Sequence, residues 1–246
     1  MIQMLAGKTA LVTGANGGIG SEISRALAKN GAHVIVNYFE DSAGAEALAA
    51  SIGGTAKYAD VGNSTDVNNM IEAFPRIDIL VNNSGIQSFS PLLDLPEEDW
   101  DRVIRTNLKG CFLCTQRVGR IMKGNGGGRI INLGSGANKA AFPGLSSYTA
   151  SRGGIEMFTK VAAAELGPFG ITVNCVAPGA IEIERTKRET PDYAGTWGKL
   201  TPLGRVGTPA DVARVILFFA SDAAEFVTGQ TLWVDGGLFS KPAWPY

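Results

Sequence analysis

The sequence predicts an α/β fold: one doubly wound domain built on a parallel sheet of seven strands. Three observations carry the prediction. Seven short apolar runs recur along the 246 residues, helical patterns fill the intervals between them, and a glycine-rich turn follows the first run. The runs are TALVT (9–13), HVIVNY (33–38), TAKYAD (55–60), IDILVNN (77–83), RIINLG (129–134), ITVNCV (171–176) and TLWVD (231–235). Most are β-branched and almost continuously apolar, as strands covered on both faces must be. Alternation of strand and helix then implies right-handed crossovers.

Two helical segments are long. One, about 96–123, carries Trp100, Val103, Ile104, Asn107, Leu108, Cys111 and Phe112 at spacings of three and four. The other, about 147–167, places Ile155, Phe158, Val161, Ala162 and Leu166 on one stripe. The connection 180–207 is polar and broken by Gly and Pro, so it reads as a substrate loop or lid rather than a core element. The terminal KPAWPY is too rich in proline to be helical. No linker or repeat divides the chain, and 1–246 reads as one domain.

Composition excludes several classes of function. With 22 basic and 23 acidic residues and no basic run, the chain has no electrostatic footprint for nucleic acid. No apolar stretch approaches the roughly 18 residues a membrane span requires, and MIQMLAGKTA lacks the features of a secretory signal. A cytoplasmic protein with no membrane partner is expected. Cys111, Cys114 and Cys175 cannot form a disulfide framework, and CFLC lies within a helical pattern, which suits buried small residues better than a redox pair. His33 is the single histidine, so neither a metal site nor a Ser-His site is expected.

The turn TGANGGIG (13–20) sits between the first strand and the first helix. Gly14, Gly18 and Gly20 allow a tight turn and a close approach of backbone to phosphate, and the helix N-terminus offers N–H groups to a pyrophosphate. Further along, SSYTASRGG (146–154) puts Tyr148 and Arg152 four residues apart, on one helical face. A free phenol titrates near pH 10. A cation at about 4 Å, in an effective dielectric of about 20, favours phenolate by roughly 4 kcal/mol. That is about three pKa units before desolvation is subtracted, enough to make a working acid/base.

These motifs resemble the short-chain dehydrogenase/reductase family over essentially the whole chain. TGANGGIG, NNSG (82–85), NLKG (107–110), Ser135 thirteen residues before Tyr148, PG (178–179) and VDGG (234–237) stand in that family's order and spacing. Glucose 1-dehydrogenase-type and 3-oxoacyl-ACP reductase-type members are the most similar, through PGAIE…TPLGRVGTP and VTGQTLWVDGG. The resemblance implies a Rossmann fold and NAD(P)-dependent interconversion of an alcohol, possibly a sugar or polyol, with a ketone or lactone. It implies Tyr148 as general acid/base, Ser135 on the substrate oxygen, and Asn107 holding a water or the local helix geometry for proton relay. The fourth member is a lysine in the family and Arg152 here, which keeps the charge and the donors but cannot release a proton. Ile183 stands where the family has threonine, and Ser84 where it has alanine. The two changes at 152 and 183 leave a second class open: a catalytically weak, dinucleotide-binding member.

The resemblance also implies the cofactor contacts: Gly14, Asn16, Gly17, Gly18, Ile19 and Gly20 at the turn; Tyr38, Asp60 and Val61 at the adenosine end; Asn82, Ser84 and Gly85 along the fourth strand; and Tyr148, Arg152, Pro178, Gly179 and Ile181 toward the nicotinamide. Position 38 lacks the acid that marks NAD enzymes, but no Lys or Arg occupies 39–41 or 17, and Glu40 and Asp41 would repel a 2′-phosphate. NAD is favoured over NADP. In the substrate loop, Tyr193 and Trp197 stand among Glu182, Glu184, Arg185, Lys187 and Arg188, where a polyol could stack; two anchoring aromatics on a solvated helix fit as well. A 3-oxoacyl-ACP reductase remains the alternative, although Arg102, Arg105, Lys109, Arg117 and Arg120 read as a solvated face. By resemblance, the two long helices would pair subunits into a homodimer or homotetramer.

Overall fold

The computed structural model describes residues 3–240. The KPAWPY tail lies outside the described residues. Seven strands form one parallel sheet: β1 (Thr9–Val12), β2 (His33–Tyr38), β3 (Thr55–Tyr58), β4 (Ile79–Asn82), β5 (Gly128–Leu133), β6 (Ile171–Pro178) and β7 (Thr231–Val234). Their order is β3-β2-β1-β4-β5-β6-β7. The chain steps outward from β1 to β3, then returns beside β1 and steps the other way. That reversal opens a crevice at the C-terminal ends of β1 and β4, where open α/β sheets place their ligands.

Successive strand residues point to opposite faces, so each strand feeds two cores. Val12, Val36, Val81 and Ile131 pack with Ile23 and Leu27 of α1 (Gly18–Lys29), Leu48 of α2 (Ser42–Ile52), and Val212 and Phe219 of the helix Pro209–Ala220. Their neighbours Leu11, Ile35, Leu80 and Ile130 pack on the other face. There they meet Met70 of α3 (Ser64–Glu72), Val118 and Met122 of the helix Gly110–Gly124, and Ala162 of the helix Ser146–Leu166.

The long segment expected over 96–123 is three consecutive pieces: α4 (Glu97–Ile104), a π-helical turn (Arg105–Lys109) and α5 (Gly110–Gly124). The residue inserted by a π-turn swings side chains out of α-helical register, and such turns recur at functional sites. Here Asn107 is buried in that turn. The helix after β5, α6 (Ser146–Leu166), splits its expected stripe: Ile155 and Ala162 are buried, whereas Val161 is half-exposed. Trp100, Phe112 and Met157 are also exposed apolar groups on these helices. The connection 180–207 holds two short helices, α7 (Glu184–Glu189) and α8 (Tyr193–Leu200), before α9 (Pro209–Ala220). Among the described residues no helix is long and apolar enough to cross a membrane.

Candidate active site

The glycine turn is shaped from both flanking strands. Gly14 takes φ +57°, a left-handed conformation that suits glycine, and donates its N–H to Asn37 Oδ1 of β2 at 3.1 Å. Just after β4, Asn83 Nδ2 donates to the carbonyls of Thr13 and Gly14, each at 2.9 Å. Thr13 Oγ1 in turn accepts from the N–H groups of Asn83 and Ser84. A Cβ at Gly20 would run into the Gly14 carbonyl and Asn83, so α1 starts as close to β1 as a backbone can come. Gly17 precedes α1 and has no side chain to cap it; the Gly20 N–H bonds the Gly17 carbonyl at 2.9 Å, and no side chain caps the N–H groups of Gly18 and Ile19. Asn16 points instead at the loop after β2, donating to the Asp41 carbonyl at 3.0 Å and its carboxylate at 3.2 Å.

At the far end of the crevice Tyr38 meets Tyr58 edge-on, with ring centroids 6.0 Å apart. Asp60 accepts from the Gly62 N–H at 2.8 Å and pairs with Arg105 of the π-turn. Val61 is buried against Gly110, where a Cβ would come within 2.8 Å of it. Asn82 is turned into the protein, its Nδ2 donating to Thr115 at 3.0 Å and Asn132 at 2.8 Å, while its buried Oδ1 has no partner among the described residues. Pro178 ends β6, Gly179 lies against Asp235, and Ile181 is buried in a bridge to Gly207. Ile183 lays its side chain beside Gly18, so the substrate loop touches the glycine turn directly.

Tyr148 and Arg152 share one face of α6, with Arg152 Cζ 5.0 Å from the phenol ring centroid. Arg152 is buried; one terminal nitrogen donates to the Leu133 carbonyl at 2.7 Å, and its Nε has no partner among the described residues. Burial is the largest influence on the Tyr148 phenol and pushes its pKa up. The Arg152 charge, the nearby Ser135 hydroxyl and guanidinium, and the more distant Arg185 pull harder together, so the pKa lies below the ordinary phenol value. No conventional hydrogen bond joins Ser135 to Tyr148 among the described residues; Ser135 Oγ accepts from the Ala137 N–H at 3.2 Å. Asn107 brackets Ile86: its Oδ1 accepts from Ile86 N at 2.8 Å, and its Nδ2 donates to Ile86 O at 2.9 Å. The same Nδ2 donates to Ser151 Oγ at 3.0 Å, and that hydroxyl donates to the Tyr148 carbonyl at 2.7 Å.

Such a site has known counterparts. A family profile described as enoyl-(acyl carrier protein) reductase matches residues 14–239. The 3-oxoacyl-[acyl-carrier-protein] reductase of a Synechocystis strain is 44% identical over 244 residues, covering 95% of this chain and 98% of that protein. The chain belongs to the short-chain dehydrogenase/reductase family. It is an oxidoreductase. A Staphylococcus epidermidis protein of the same name as the Synechocystis relative is 41% identical, over 94% of this chain and 99% of its own. A gluconate 5-dehydrogenase from Burkholderia cenocepacia, solved with NADP and tartrate, superposes with a TM-score of 0.92 at 36% identity, covering 98% of each chain.

In this short-chain dehydrogenase/reductase the fold gathers Asn107, Ser135, Tyr148 and Arg152 around one end of the crevice and the glycine turn at its middle. Sequence reasoning passed over Thr13, Asn37, Asn83, Ser151 and Arg105 as site-shaping residues. Asn37 and Asn83 did leave a signal, as amides within or beside apolar strand runs, where an unpartnered polar group would be costly. Ser151 left none.

Proposed function

We propose that this chain moves a hydride between a nicotinamide dinucleotide and the carbon of a secondary alcohol or ketone, with Tyr148 as the acid/base on oxygen. The observation that carries this reading is the phenol itself, whose ionisation burial opposes and the Arg152 charge restores. The dinucleotide, when bound, supplies or accepts the hydride. The uncapped start of α1, with Gly14, Asn16, Gly17, Gly18, Ile19 and Gly20, would hold its diphosphate. Tyr38, Asp60 and Val61 would hold the adenosine. Ser84, Gly85, Pro178, Gly179 and Ile181 would flank the nicotinamide, with Asn82 contributing its backbone. Ser135 donates to the substrate oxygen, while Tyr148 takes its proton in oxidation and returns it in reduction. Arg152 stabilises the phenolate, and its guanidinium would hold the ribose hydroxyls.

NAD is the favoured cofactor. The Asp41 carboxylate is fixed beside the glycine turn by Asn16 and by the Gly44 N–H at 2.9 Å, where it would repel a 2′-phosphate. A small polyhydroxylated or sugar-acid substrate is supported by the substrate loop, which brings the Arg185 charge within reach of both Tyr148 and Tyr193. A second reading, reduction of a 3-oxoacyl thioester, draws on the names of the 41–44% identical relatives and on Phe89, Leu92 and Leu93, exposed after β4. Exposed Trp100, Phe112, Met157 and Val161 support pairing of the α4–α6 faces in a homodimer or homotetramer, in the cytoplasm.

The test is a titration of NADH and NADPH by nicotinamide fluorescence, then a panel of sugars, sugar acids, simple alcohols and an acetoacetyl thioester. Turnover of a sugar or sugar acid with NAD supports the reading. Turnover of the thioester with NADPH favours the second. Dinucleotide binding without turnover, with activity gained in Arg152→Lys, would mark the arginine as a brake on the site.

A further inference from the structure

We infer that Ser151 is a positioning residue for Tyr148, joining Asn107 to the catalytic turn of α6; the inference rests on the proposed role of Tyr148. Ser151 is fully buried, between Tyr148 and Arg152 along the helix. Its hydroxyl is used twice, as donor to the Tyr148 carbonyl at 2.7 Å and as acceptor from Asn107 Nδ2 at 3.0 Å. Both amide protons of Asn107 are thereby consumed, one on Ile86 and one on Ser151, and its oxygen holds the Ile86 N–H. The Asn107 side chain is thus committed to the backbone of the loop after β4 and to the Ser151 hydroxyl of α6.

The need for such a brace follows from where Tyr148 sits. It lies in the first turn of α6, and Leu145 at the start of that helix offers no side-chain cap. First turns fray when their N–H groups lack partners. The phenol's distance from Ser135, Arg152 and Arg185 is set by the backbone of that turn. A hydroxyl three residues on, bonded to the Tyr148 carbonyl and anchored to the π-turn, fixes the backbone from the buried side. The π-turn is what presents Asn107 to it: the widened turn sits beneath α6, with Leu108 against Gly154, where a Cβ would come within 2.9 Å. The charged and titratable groups acting on the phenol are Arg152 of its own helix and Arg185 and Tyr193 of the substrate loop. Ser151 touches none of them, so its effect is on position.

The experiment compares Ser151→Ala, Ser151→Thr and Ser151→Val with wild type, Thr and Val being alike in size and differing in the hydroxyl. Three quantities are read: kcat, the NADH dissociation constant, and the Tyr148 ionisation midpoint of the free protein, by ultraviolet difference against Tyr148→Phe. Expected for Ala and Val are a kcat loss of about 10- to 100-fold, a midpoint moved up toward the ordinary phenol, and NADH affinity within about threefold, since no proposed cofactor contact is removed. Ser151→Thr should stay near wild type. Unchanged kcat and midpoint in Ser151→Ala, or a Thr variant as impaired as Val, overturns the inference. Failure of both hydroxyl-free variants to fold also overturns it, because the residue would then serve stability. A wild type that binds NADH without turnover sinks the proposed function instead, and the phenol midpoint still decides the case of Ser151.

Discussion

Arg152 lays its guanidinium over the ring of Tyr148 four residues earlier on the same helix, 5.0 Å from the ring centroid, while bonding the carbonyl of Leu133 at the end of β5. The phenol therefore feels a cation whose position is fixed by the sheet and not by a flexible stem. Cation and ring attract each other, and burial strengthens the effect. The same anchorage ties the chemistry of residue 152 to the geometry of its neighbours.

The first consequence concerns pH. Because the net influence on Tyr148 is downward, the oxidation rate should rise with pH through a midpoint below the ordinary phenol value and then level off. Arg152→Met removes the largest lowering influence and leaves burial in place, so its midpoint should move above wild type and its rate at neutral pH should fall at least about tenfold. A pH–rate profile for each protein, taken with saturating cofactor, checks this. Coincident midpoints would show that the guanidinium does not tune the phenol.

Gly85 faces the guanidinium so closely that any Cβ there would collide with it. Gly85→Ala should therefore displace Arg152 and abolish most turnover, with an overpacking cost of about 1–3 kcal/mol. The shorter, unforked side chain of Arg152→Lys relieves the collision. The double variant should accordingly be less impaired by the Gly85 change than the single variant is. A double-mutant cycle on kcat measures the coupling, and strict additivity would refute the contact.

Asp41 combines two duties. Its carboxylate caps α2 by accepting from Gly44, and it holds Asn16 of the glycine turn. Asn caps a helix about as well as Asp, so Asp41→Asn removes the charge at little cost in stability. NADPH should then bind about three- to tenfold tighter while NADH is nearly unchanged, with the gain shrinking at high salt. Isothermal titration at two ionic strengths settles it; equal changes for both nucleotides would show that Asp41 does not face the 2′ position.

Asp211, in the first turn of α9, accepts from Thr208 N–H and pairs with Arg205 and Arg214; the Arg205 hydrogen bond above all, with those from Thr208, holds its carboxyl well below the usual value of 3.8 against the opposing effect of burial. Its folded pKa is depressed, so its stabilisation is fully present above about pH 4 and is lost as pH falls toward the folded value. Asp211→Asn should lower Tm at pH 7 and flatten the wild-type decline in Tm below pH 4. Parallel melting curves for the two proteins over that range would contradict the assignment.

The thiols provide a negative control for redox chemistry. Burial pushes the Cys114 and Cys175 thiols up to about 12 and Cys111 higher still. None should react with iodoacetamide at pH 8 in the native state, and all three should react on unfolding. Mass spectrometry of the quenched protein reads the outcome, and native labelling at either member of the CFLC pair would reopen a redox role.

Sequence alone determined the fold class, the glycine turn and the Tyr148–Arg152 pair, because each is a local pattern. Apolar periodicity reports burial of a strand or helix face, and a four-residue spacing guarantees a shared helical face whatever surrounds it. Tertiary structure alone decided how that pair is held. Thr13 and Asn83 clamp the glycine turn from positions seventy residues apart, and Asn107 reaches Ser151 across forty-four. It also broke the expected 96–123 helix at a π-turn, since Asn107 and Arg105 find their partners on Ile86 and Asp60 rather than along their own helix. A buried amide or hydroxyl is satisfied by whichever partner the packing brings to it, and that partner is a fact of three dimensions. Local spacing carries no trace of it.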